Sequence, residues 1–148
     1  MSGFALLDLL AELHNPLLGL IAAALIVSAA LQRRRRLALL RVAGALTALS
    51  VVYATALLDQ RLEIWPALGL DYATHIAVAL AAATYLTAQA PRLWAIWTAS
   101  FGGYAWLVVH LRHHTPDDLV STCLAVGVPL AAAAWWIGRA SHGLPVRA

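Results

Sequence analysis

The stretch VVHLRHHTPDDLVST, residues 108–122, packs three histidines and two aspartates into a chain that is otherwise mostly Ala, Leu and Val. Imidazoles and carboxylates at that density can ligate a metal, hold a haem, attack a phosphate or cap a helix. Thr115 suits the N-cap of a helix, Pro116 its first position and Asp118 its third, which leaves His114 just ahead of the helix. A carboxylate four residues beyond His114 can orient its ring and stabilise a protonated or substituted imidazole. A second polar stretch, LGLDYATHIAVAL, has Asp71 as a candidate N-cap and His75 about one turn into the helix that follows. His75 can protonate a leaving oxygen if the two helix starts meet. Helix N-termini also attract anions through their free N–H groups. His114, Asp118 and His75 are therefore the candidate catalytic residues.

Those residues need a scaffold, and composition identifies its solvent. The chain has 148 residues, 62% hydrophobic and 11% charged, which is too apolar for a water-soluble domain of this size. We read it as a single integral membrane domain, all-α. Apolar segments at about 16–31, 37–58, 72–90, 93–109 and 119–137 predict a bundle of five transmembrane helices. Phe4, Leu6, Leu7 and Leu10 predict a separate, short N-terminal amphipathic helix in the membrane interface. That region lacks the basic start of a cleavable signal and is expected to be retained.

The ten basic residues are all Arg. Arg33, Arg34, Arg35, Arg36 and Arg41 lie between the first two segments, Arg92 between the third and fourth, and Arg139 and Arg147 after the fifth. With the RRRR loop cytoplasmic, strict alternation puts every one of these inside. Only Arg61 and Arg112 fall outside, together with all seven acids. The expectation is a bacterial-type inner membrane protein with its N-terminus outside, its C-terminus cytoplasmic and both polar stretches at the outer face. The arginine run reads as this topology signal with contact to anionic lipids, and no nucleic-acid partner is expected. Cys123 is alone, so no intrachain disulfide is available.

HTPDDLVSTCLAVGV, from His114, resembles the last signature of the type 2 phosphatidic acid phosphatase superfamily, and DYATHIAVALAAATYL resembles its middle one. The resemblance covers about residues 59–137. It implies that His114 is a nucleophile forming a phosphohistidine, Asp118 its orienting partner and His75 the acid for the leaving alcohol, with no cofactor. It implies a lipid phosphate or pyrophosphate substrate, either hydrolysed or transferred to another alcohol as in the sphingomyelin synthases. The family's Arg six residues before the nucleophile is Val108 here. No Lys stands in the chain for its first signature, and DQRLEIWP offers only Arg61 and a separated Pro66. In place of the family's cationic clamps, Arg61, Arg112 and His113 are the candidate substrate-binding residues. Other readings compete. His75, His110, His114 and Asp118 can be written as a mononuclear metal site, with His14 and His142 expected at opposite ends, and a bis-histidine haem can be drawn between the third and fourth spans. A catalytically degenerate subunit of a membrane complex, or a homo-oligomer, suits Gly102 and Gly103, which permit close helix approach. The Trp residues near the segment ends read as an interfacial belt.

Overall fold

The computed structural model describes residues 3–142, and the surroundings of side chains from residue 4 to residue 134. Arg147 lies outside the described residues. Among the described residues all regular structure is helical: α1 Gly3–Leu31, α2 Arg35–Leu62, the single turn α3 Ile64–Ala67, α4 Thr74–Gln89, α5 Trp94–His110 and α6 Pro116–His142, with a 3-10 turn at Pro91–Leu93 ahead of α5. Ala- and Leu-rich runs lose little side-chain entropy in a helix, and in lipid a helix satisfies its own backbone. Among the described residues three stretches are long and apolar enough to cross a membrane, Phe4–Leu31, Arg35–Leu62 and Pro116–Ala134. The two other long helices have 16 and 17 residues, about 24–26 Å of rise.

The shorter α4 is the centre of the bundle. Its Ile76, Ala77, Ala79, Ala81, Ala83, Tyr85 and Leu86 are buried, and they join three apolar clusters. Ala77 and Ala81 meet Val52 of α2, Trp65 of α3, and Val126 and Leu130 of α6. Ile76 and Ala79 meet Tyr104, Ala105 and Val108 of α5. Tyr85 and Leu86 meet Leu18 of α1. Alanine at so many positions lets four helices approach one axis, as small residues do inside membranes. The outward faces of the surrounding helices carry large exposed apolar side chains, including Leu17, Leu20, Leu46, Leu57, Ile96, Leu124 and Val128. Such a surface is unfavourable in water and ordinary against acyl chains.

Two expectations about helix starts are corrected. The N-terminal segment is no separate interfacial helix: α1 runs unbroken through Pro16. A proline removes one backbone bond, but Ala11 before it and Leu18 after it both pack into the bundle, so continuity on both sides outweighs the break. Asp71 does not cap α4, which begins later, at Thr74, with no side-chain cap on its own N-terminal residues. The Ala73 N–H is taken instead by Thr122 Oγ1 of α6 at 3.1 Å. Thr122 is fully buried, so that N–H has no access to water. Thr122→Val keeps the shape and deletes the acceptor. It is expected to lower stability by roughly 1–3 kcal/mol, read as a lower thermal unfolding midpoint in detergent, whereas Thr122→Ser keeps the acceptor and should avoid most of that loss.

The chain reverses at each helix end, which gives the bundle two chemically different ends. One gathers Arg33, Arg34, Arg35, Arg36 and Arg92. There Arg41 Nε donates to Gln89 Oε1 at 3.1 Å, and its guanidinium also bonds the Leu25 carbonyl, tying α1, α2 and α4 together. The other holds the first turns of α1, α4 and α6, the last turns of α2 and α5, and α3. Every candidate site residue belongs to this second end.

Candidate functional site

The site is built on the turn between α5 and α6. The last turn of α5 closes with the Arg112 N–H on the Val109 carbonyl at 3.0 Å and the His113 N–H on the Val108 carbonyl at 3.1 Å, a Schellman arrangement. Its left-handed residue is Arg112, at φ 58°. A side chain there costs about 1 kcal/mol relative to glycine. Arg112→Gly is therefore expected to stabilise the protein by a comparable amount, read as a higher unfolding midpoint; a fall would show that the guanidinium makes a stabilising contact.

Two residues later α6 starts as its sequence indicates. Thr115 Oγ1 accepts the Asp118 N–H at 3.2 Å, and Asp118 Oδ2 accepts the Thr115 N–H at 2.8 Å, a reciprocal capping box. The other carboxylate oxygen, Asp118 Oδ1, accepts the Asp71 N–H at 2.8 Å. One buried carboxylate therefore starts α6 and fastens the segment leading into α4 to it. Ser121 extends the junction: it accepts the indole N–H of Trp65 at 3.0 Å and donates to the Asp118 carbonyl at 3.0 Å. Asp59 Oδ1 caps α3 through the Trp65 N–H at 2.8 Å. None of Asp59, Trp65 and Ser121 was a sequence candidate, and only the acid ahead of a short turn offered a local signal.

His114 sits inside this frame with its side chain 12% exposed. Its Nδ1 is buried and has no hydrogen-bond partner. The nearest acidic atoms are Asp71 Oδ2 at 3.7 Å and Asp118 Oδ2 at 3.9 Å. Both lie beyond hydrogen-bond length, at distances where either carboxylate attracts the ring once it carries positive charge. With Nδ1 turned to the acids, the ring's other nitrogen, Nε2, is the one left for chemistry.

The other candidates fall around this centre unequally. His75 is the second residue of α4 and is exposed; its carbonyl accepts Asn15 Nδ2 at 3.0 Å, and its imidazole makes no hydrogen bond among the described residues. His113 turns away to Asp8 Oδ1 of α1 at 3.3 Å, both side chains being about half exposed. Arg61, in the last turn of α2, and Arg112 are exposed, and neither is ion-paired among the described residues. Val108 is buried among Ala73, Ile76 and Tyr104, so no cation stands at that position.

The residues offered as a metal site are not gathered into one. His110 stacks on Trp106, with ring centroids 4.9 Å apart and planes 13° apart. Among the described residues no three His, Cys, Asp or Glu side chains are placed to share an ion. His14 is drawn into the bundle: its ring stacks on Tyr104 at 4.2 Å, and Nε2 lies 3.0 Å from Ser100 Oγ.

No family model, curated protein or solved structure matches this chain. The functional reading therefore rests on the geometry around His114 and on the motifs that surround it.

Proposed function

We propose that the protein is a membrane phosphohydrolase or phosphotransferase acting on a lipid phosphate or pyrophosphate, with His114 as nucleophile. The observation that carries this reading is the state of the His114 ring: buried, its Nδ1 held towards two carboxylates and engaged by neither. In the proposed reaction the Nε2 lone pair attacks phosphorus, the bond from phosphorus to the leaving oxygen breaks, and that oxygen takes a proton from His75. Water or a second alcohol then attacks the phosphohistidine, giving its proton to His75 and restoring the free ring. The positive charge of the substituted imidazole is offset by the nearby acids. Arg61 and Arg112, the two arginines at this end of the bundle, would supply cationic stabilisation of the phosphoryl oxygens.

In this reading α1, α2, α4, α5 and α6 all cross a bacterial-type inner membrane, with the arginine end cytoplasmic and in contact with anionic lipids and the His114 end at the outer headgroups. The two helices below usual spanning length fit because α4 is enclosed by its neighbours and α5 leans on it.

The test uses purified protein in mixed micelles with 32P-labelled phosphatidate, phosphatidylglycerol phosphate and undecaprenyl pyrophosphate. Turnover is expected on at least one, with label trapped in an acid-labile, alkali-stable form that His114→Ala does not accumulate. Failure to turn over or label with any of them would reject the reading. One observation favours a second reading, a structural subunit of a membrane complex: both Asp118 oxygens already serve backbone N–H groups, the work of a helix junction. Copurification with another membrane protein in the absence of turnover would establish it.

A further inference from the structure

Between the two acids that face His114, the bonding pattern is unequal. Asp118 lies at the position from which a partner is expected, four residues on, yet each of its oxygens already accepts a backbone N–H at 2.8 Å. Moving it towards the ring would lengthen the bonds that start α6 and anchor the segment before α4. Asp71 is the opposite case. Its side chain is 78% exposed, its Oδ2 is the acidic atom nearest to Nδ1 at 3.7 Å, and its carboxylate accepts no hydrogen bond among the described residues. An exposed side chain closes a gap of this size by a small torsional change, with no backbone movement.

We propose that Asp71, and not Asp118, is the carboxylate that accepts the His114 Nδ1 proton and so positions the nucleophile. Asp118 fixes the frame: through the Asp71 N–H it places the backbone that carries the Asp71 carboxylate. Asp71 then holds the ring in the tautomer with Nδ1 protonated and Nε2 bare, and its charge faces the imidazole as a phosphoryl group joins Nε2. Other charged or titratable groups at this end of the bundle are Arg112, His113 and Asp117 beside the same turn, His110 of α5, His75 of α4, Arg61 of α2, and Asp8 of α1, which is occupied by His113. None of them has a bonding contact with His114. The inference rests on the phosphotransfer reading for its chemical consequence, but the contact itself can be tested apart from it.

The experiment uses the full-length protein in nanodiscs, labelled with 15N-histidine, with His114→Gln used to assign the ring signals. Wild type is expected to show the His114 signature of an Nδ1-protonated, Nε2-bare ring. Asp71→Ala is expected to lose that signature and Asp71→Glu to restore it, while Asp118→Asn, in its folded fraction, retains it. The unfolding midpoint should fall only slightly in Asp71→Ala, because the side chain is exposed and gives up a single hydrogen bond that water can partly replace. An unchanged signature in Asp71→Ala, or its loss in folded Asp118→Asn alone, would overturn the proposal. On a turned-over lipid phosphate, Asp71→Ala should lower kcat about 10- to 100-fold with little change in KM, with recovery in Asp71→Glu; a change confined to KM would also overturn it. If wild type turns over no lipid phosphate, the phosphotransfer reading falls and the ring signature alone decides the role of Asp71.

Discussion

His114→Ala is expected to abolish phosphate release and phosphoenzyme labelling, by at least about 10³-fold, while the protein unfolds at nearly the wild-type temperature. The two halves of that expectation come from different properties of one residue. Chemically, no other imidazole in the described chain is both shielded from water and turned with one nitrogen towards carboxylates: His75, His110 and His113 are exposed, and His14 is committed to Ser100 and Tyr104. A neighbour cannot take over the attack without carrying the same environment. Structurally, His114 contributes no hydrogen bond through Nδ1, and it precedes α6 without capping it. Its removal takes away the buried ring nitrogen together with that nitrogen's need for a partner, so the cost is confined to ring packing and the one contact with Asp71. The measurement pairs initial rates on 32P-labelled lipid with thermal unfolding of the same preparation. Full activity in a homogeneous His114→Ala sample would end the phosphohistidine mechanism, whereas loss of activity together with loss of fold would move His114 into the scaffold.

What could be read from the chain beforehand divides along the range of the interactions. The start of α6 was legible because a capping box is local: Thr115, Pro116 and Asp118 lie within four positions, and their types alone specify the bonds. The helical character of each apolar run was legible for the same reason, since composition sets both solvent and secondary structure. The continuity of α1 through Pro16 was not, because a local breaker was overridden by packing on either side of it. The role of Asp71 was misassigned in an instructive way. An acid three residues before Thr74 looks like a cap, but its N–H is claimed by Asp118, 47 positions away in sequence, and the Ala73 N–H by Thr122, 49 positions away. No window along the sequence contains such pairs. The same holds for His14 and Ser100, 86 positions apart. The central place of α4 was foreshadowed only by its alanines, which mark close approach without naming the neighbours.

Asp118→Ala should have the largest effect on stability of any single change near the site, about 2–4 kcal/mol. The reasoning follows from what the carboxylate holds. Each oxygen accepts a backbone N–H, from Thr115 on one side and Asp71 on the other, and hydrogen bonds to a charged acceptor are each worth about 1.5–3 kcal/mol net. The Thr115 bond is the return half of a cap whose loss alone costs about 0.5–2 kcal/mol. Water can reach part of the vacated space, because Thr115 and Asp71 are themselves exposed, and this keeps the total below the simple sum. The consequence is not confined to α6. Releasing the Asp71 N–H frees the segment before α4, where Tyr72 donates its hydroxyl to the Val52 carbonyl at 3.0 Å and the Ala73 N–H meets Thr122, so the junction of α2, α4 and α6 loosens together. Asp118→Asn keeps a neutral acceptor for one of the two N–H groups and sets an amide against the other, and roughly half the loss is expected. Unfolding curves for the wild type, Asp118→Asn and Asp118→Ala in one detergent should fall in that order. Equal stability of all three, with turnover lost in both variants, would instead make Asp118 a partner of the His114 ring and return to it the role assigned here to Asp71.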